Sequence, residues 1–142
     1  VAVVVVGCGS SADAPPPTYT SEQISQIQRS LPTVTDLREK MPLLESKIQS
    51  ENWTDVKSFI HGPLGELRQK MSYVSRQMLP QDQKEASNLA KDLFDSLEAI
   101  DVAADDGNYQ AAIKNYGTAV KDFDDFLALV PEAAKSETAQ TA

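Results

Sequence analysis

The chain has 142 residues and a formal net charge of -8, from 13 Lys and Arg against 21 Asp and Glu. That balance excludes sequence-independent nucleic-acid binding, which needs clustered cations against phosphate. One cysteine and one histidine exclude a disulfide, a Cys-x-x-Cys redox pair, a haem attachment motif and a zinc knuckle, so the fold must stand on packing.

In chain order, the first feature is the run Val3 to Val6 followed by Gly7, Cys8 and Gly9. An apolar residue three before a lone cysteine, with small or apolar residues between, is the pattern of a bacterial lipoprotein cleavage site. Residues 1–7 are then the tail of a signal peptide and the mature chain begins at an acylated Cys8. The competing reading makes the valines a short buried strand and Cys8 a core residue. Acyl chains on Cys8 would hold the protein to a membrane, since no later stretch approaches the roughly 20 apolar residues of a spanning helix. Residues 8–20 form a tether, with Pro15, Pro16 and Pro17 favouring extended polyproline geometry.

From Ser21 to Val130 apolar residues recur at spacings of three and four, which predicts four helices. The first carries Ile24, Ile27, Leu31, Val34, Leu37, Met41, Leu44 and Ile48 behind a Thr20 or Ser21 N-cap. Pro32 and Pro42 inside it predict a kink or break at Pro32 and a milder one at Pro42. The second is capped by Asn52 with Asp55 and carries Val56, Ile60, Leu64, Leu67, Met71, Val74 and Met78, before Pro80. The third, 81–105, buries Ala86, Leu89, Ala90, Leu93, Phe94, Leu97, Ile100 and Ala104, and Gly107 and Asn108 make the turn. The fourth, from Tyr109, buries Ala112, Ile113, Tyr116, Val120, Phe123, Leu127 and Val130, and Pro131 closes it. Residues 132–142 are expected to be a disordered tail. One-sided stripes and short connections predict an all-α, up-down-up-down four-helix bundle over residues 21–131, carried on the Pro-rich N-terminal tether.

Catalysis needs convergent polar groups with tuned protonation, and a single histidine with no glycine-rich phosphate loop does not supply them. His61 falls at the edge of its helix stripe, beside Ile60. With Asp124 and Asp125 it forms the most plausible set of outer-surface metal ligands, an open and weak zinc site at best. Asp105, Asp106, Asp124 and Asp125 could attract calcium loosely, but their spacing matches no calcium loop. No cofactor is expected beyond such a weakly held surface zinc or calcium. Trp53 reads as a core or staple residue.

The segment Asn52, Trp53, Thr54, Asp55, Val56, then Phe59, Ile60, His61, Gly62, Pro63, Leu64, Gly65, Glu66, Leu67 and Arg68 resembles the signature of the PsbQ family of photosystem II extrinsic proteins, in its cyanobacterial lipoprotein form. The tether is shorter than the proline-rich amino-terminal region of plant members. The resemblance implies a non-catalytic subunit on the lumenal side of the thylakoid membrane. Its partners would be the photosystem II core and other extrinsic subunits, and its role to retain calcium and chloride and stabilise the dimeric complex. A generic periplasmic lipoprotein bundle that binds a ligand or metal is the competing expectation.

Charge suggests where docking would occur. Residues 1–79 carry 8 basic and 8 acidic side chains, whereas residues 80–142 carry 5 basic and 13 acidic, so an acidic assembly would repel the second half. The expected contact residues are Arg29, Arg38, Lys57, Arg68, Lys70 and Arg76, together with Gly62 and Pro63, where the lack of side-chain bulk allows close approach.

Overall fold

The computed structural model describes residues 18–136. Among them every regular element is helical: α1 (Ser21–Gln49), α2 (Trp53–His61), a 3₁₀ turn (Pro63–Glu66), α3 (Leu67–Arg76), α4 (Pro80–Asp105), α5 (Tyr109–Leu129) and α6 (Glu132–Lys135). None of these helices is long and apolar enough to cross a membrane. The signal remnant, Cys8 and the tether up to Pro17 lie outside the described residues.

Local chemistry sets the helix ends. Thr20 caps α1 through a reciprocal pair: its hydroxyl accepts from the Gln23 amide (3.1 Å) while the Gln23 side chain accepts from the Thr20 amide (2.8 Å), satisfying two donors the helix leaves open. Asn52 and Asn108 cap α2 and α5 by accepting from the Asp55 and Ala111 amides. The C-termini of α1 and α4 close in the same way. The Asn52 amide donates to Lys47 O and the Glu51 amide to Ile48 O, and likewise Asn108 to Ala103 O and Gly107 to Ala104 O. Both corners need a left-handed residue. Gly107 (φ 62°) meets that need without a Cβ, while Glu51 (φ 53°) meets it against its own sterics.

The expected break in α1 does not occur. The helix runs unbroken for 29 residues through Pro32 and Pro42. Both prolines lie on its exposed side, where water can solvate the carbonyls they leave unbonded. Eight buried positions from Ile27 to Ile48 hold the helix in place, so tertiary packing offsets the local penalty. The break falls instead in the predicted second helix. Gly62 ends α2 with its amide on Ser58 O at 2.8 Å, and Pro63 opens the 3₁₀ turn. A Cβ on Gly62 would stand 2.7 Å from Ser58 O, so glycine is required there by the chain's own backbone.

The core lies between α1, α3, α4 and α5, with Phe123, Phe126, Met41, Met71, Met78, Leu93 and Ile100 fully enclosed. α4 and α5, joined by residues 106–108, form the most extensively packed pair; α1 packs on α3 and α5, and α2 on α4. With α2, the 3₁₀ turn and α3 counted as one arm, this is compatible with a four-helix bundle. On α5 the buried face is Ala112, Tyr116, Ala119, Phe123 and Phe126; Ile113, Val120 and Leu127 are partly buried beside it. The expected stripe was therefore rotated slightly from the true one.

The expected tail is also partly structured: α6 follows Pro131, buries Ala134 completely and packs on α1. The Gln28 side chain donates to Ala133 O there.

Candidate docking surface

The expected contact residues divide according to how the fold uses them. Arg38 is engaged inside the bundle. From α1 its guanidinium donates to both carboxylate oxygens of Asp124 on α5, at 2.6 and 3.1 Å, and that hydrogen bond raises the Arg38 pKa above its ordinary value. Lys57 on α2 pairs with Asp105 on α4 and lies 3.7 Å from Asp101. Arg68, at the start of α3, holds its guanidinium carbon 4.4 Å from the centre of the Phe94 ring on α4, a cation-π contact. These three side chains tie arms of the fold together.

Arg29, Lys70 and Arg76 are used differently. They line one groove of about 390 Å³ between α1 and α3, with Gln26, Tyr73 and Gln77. No carboxylate among the described residues lines it. α3 carries Arg68, Lys70 and Arg76 and no acid at all. The C-terminal end of the helix is held by the Gln83 side chain, whose amide donates to Met78 O (2.8 Å) and Arg76 O (3.2 Å). The adjoining corner is pinned by Tyr19, whose hydroxyl accepts from the Leu79 amide and donates to Asp82. The groove walls are therefore fixed at one end by interactions that span 60 and 63 residues of sequence.

Pro63 lies in a separate notch of about 450 Å³ with Leu43, Phe59, Lys40 and Lys47. Leu43 is 54 % exposed and was absent from the expected contact set. It falls on the outer side of α1 one residue past Pro42, a position that a stripe drawn for burial passes over.

The expected metal ligands are not brought together. His61 Nε2 meets Asp101 at 2.9 Å between α2 and α4. Asp124 is held by Arg38 between α1 and α5, and Asp125 by Lys121 on its own helix. Among the described residues no group of three or more His, Cys, Asp or Glu side chains is placed to hold a metal ion. The periodicity that put all three on outer surfaces could not tell that those surfaces belong to different seams.

Acid crowds the opposite side of the molecule. Burial, and then the Asp92 carboxylate, raise the pKa of Asp122 on α5. Lys91 and Lys121 pair with Asp95 and Asp125 one turn along their own helices.

Comparison with known proteins agrees with the signature around Trp53 and Gly62. The sequence model of the PsbQ family, described as oxygen evolving enhancer protein 3, matches residues 1–131. The chain is similar to CyanoQ of Synechocystis sp., with 41% identity over 135 residues that cover 94% of this chain and 91% of that protein. A match over nearly the whole chain, joined to an all-helical fold, makes this protein a member of the PsbQ family of non-catalytic, extrinsic photosystem II proteins.

Proposed function

We propose that this protein is a lumenal extrinsic subunit of photosystem II that stabilises the oxygen-evolving complex, retaining its calcium and chloride, and supports the assembled dimer. The observation that carries the reading is the family match over residues 1–131, with the 41% identity to CyanoQ beside it. The helices form an up-down-up-down bundle on a tether, and an acylated Cys8 holds it at the thylakoid membrane. The first two arms, α1 and α2 with α3, face the partner, because the cations that lack acidic partners there oppose the chain's overall negative charge. Any zinc or calcium is bound weakly at the surface, and calcium retention is exerted by covering the oxygen-evolving centre.

The test is to isolate photosystem II from the source organism and ask whether this chain co-purifies, then to strip it and measure oxygen evolution at low calcium and chloride. The reading requires co-purification, activity lost on stripping, and activity recovered on adding the protein back. Absence from purified photosystem II, or unchanged activity after stripping, contradicts it. Cys8→Ala should move the protein from membranes to the soluble fraction; retention through a carbonate wash, with unprocessed signal excluded, contradicts the anchor.

A further inference from the structure

We propose that the groove between α1 and α3 is the docking site for an acidic, extended segment of a protein partner, gripped by Arg29, Lys70 and Arg76. The proposal rests on the reading of this chain as a subunit of a larger assembly, and it names the chemistry of the contact.

Three observations carry it. The first is the state of the cations. Among the described residues, Arg38, Lys40, Lys57, Lys91, Lys121 and Lys135 each pair with a carboxylate, and Arg68 lies over a ring. Arg29, Lys47, Lys70, Arg76, Lys84 and Lys114 have no acidic partner among the described residues, and half of these line one groove. In a chain of net charge -8, three like charges around a concavity without a counter-charge repel one another until an anion is supplied.

The second is shape. Lys70, Tyr73 and Arg76 recur every three residues along α3, and Gln26 and Arg29 do so along α1, so the groove runs along the helices. Six residues of helix rise about 9 Å, the length of about three residues of extended chain.

The third is the mixture of groups. Two guanidinium forks suit carboxylates bidentately. The amides of Gln26 and Gln77 each offer a donor and an acceptor, as a peptide backbone requires; a lipid phosphate, which only accepts, leaves those acceptors idle. Tyr73, 41 % exposed with its hydroxyl accepting from Gln69, gives a flat wall for side-chain stems.

The test uses the full chain with three substitutions at once, Arg29→Gln, Lys70→Gln and Arg76→Gln. Its matched control carries Lys84→Gln, Lys114→Gln and Lys121→Gln, which removes the same charge from surface cations of α4 and α5 that lie outside the groove. Both are compared with the wild type for rebinding to stripped photosystem II, for binding a synthetic Glu-rich peptide, and for binding vesicles rich in phosphatidylglycerol. Circular dichroism melts confirm that both variants fold, and Arg76→Gln alone serves if the triple variant does not.

The expected result is a loss of about tenfold or more in rebinding and in peptide affinity for the groove variant, with the control within about twofold of wild type. Equal losses in the two variants overturn the proposal. So does a groove variant that loses vesicle binding while keeping peptide binding, which would assign the groove to lipid headgroups. If wild type binds the peptide through the groove but does not rebind photosystem II, the groove stands and the assembly reading fails. If wild type rebinds and the groove variant rebinds equally well, the groove fails and the assembly reading stands.

Discussion

The α4–α5 hairpin and the α1–α3 face use charge in opposite ways. In the hairpin, Lys91 and Lys121 are satisfied one turn away on the same helix by Asp95 and Asp125, and excess acid presses on itself at Asp92 and Asp122. On the α1–α3 face, Arg29, Lys70 and Arg76 surround a groove that no carboxylate of the described residues lines. The seams between arms take a third course, in which Arg38 and Lys57 reach 86 and 48 residues along the sequence to find their acids. Cations that cross a seam fix the fold, and cations gathered unpaired around one groove are available to a partner.

The largest expected effect separates structural from surface positions. Phe123 is fully enclosed, so Phe123→Ala should lower unfolding free energy by about 3–5 kcal/mol in urea titrations. Arg76→Ala on the groove rim should change it by no more than about 0.5 kcal/mol. Similar losses at both positions would mean that the groove cations are structural.

The seam between α1 and α5 should show itself in alkali. Burial first, and then the charge of the nearby Glu45 carboxylate, push the Tyr116 phenol up to about 12. In the unfolded chain the phenol ionises near pH 10, so its stabilising contribution is complete below pH 10 and is lost as pH rises from 10 to about 12. Tyr116→Phe should flatten the fall in melting temperature across that window; an unchanged slope would show that the phenol is not held neutral there.

The two matched helix corners make a smaller, signed comparison. Glu51→Gly should stabilise by about 1 kcal/mol by relieving a left-handed non-glycine residue, and Gly107→Ala should destabilise by a similar amount. Changes of the same sign, read from thermal melts, would contradict the assignment of the corners as equivalent.

Smallest is the coupling of Arg38 to Asp124. With the Asp124 side chain 53% exposed, solvent screening should hold the double-mutant-cycle value to about 0.2–1 kcal/mol. Arg38→Gln should leave partner binding unchanged. Weakened binding would place the docking face across the α1–α5 seam instead.

Much of the fold was legible in the sequence because helix periodicity and capping are local. The Thr20 and Asn52 caps, the turn at Gly107 and Asn108 and the stripe of α1 are all written within a few residues. What failed needed knowledge of the surroundings. A break at Pro32 reads as possible until both prolines are seen to face outward on an unbroken helix, and the need for glycine at Gly62 is legible only once Ser58 O is seen beside it. The α5 stripe was misplaced because Ile113 and Val120 outrank Ala119 in hydrophobicity, although Ala119 is fully buried and the other two only partly. In the candidate site, the cation types were legible and their uses were not. Whether Arg38 or Arg29 is free depends on an acid brought close only by folding.

The most direct measurement is zero-length carbodiimide crosslinking of the bound protein in photosystem II membranes, which joins a lysine to a carboxylate already in contact with it. Lys70 lies in the groove, whereas Lys84 and Lys114 lie outside it and, like Lys70, have no acidic partner among the described residues. The account predicts partner crosslinks at Lys70 and not at the other two, suppressed by Arg29→Gln with Arg76→Gln. Partner crosslinks concentrated at Lys84 or Lys114, with Lys70 unmodified, would contradict it.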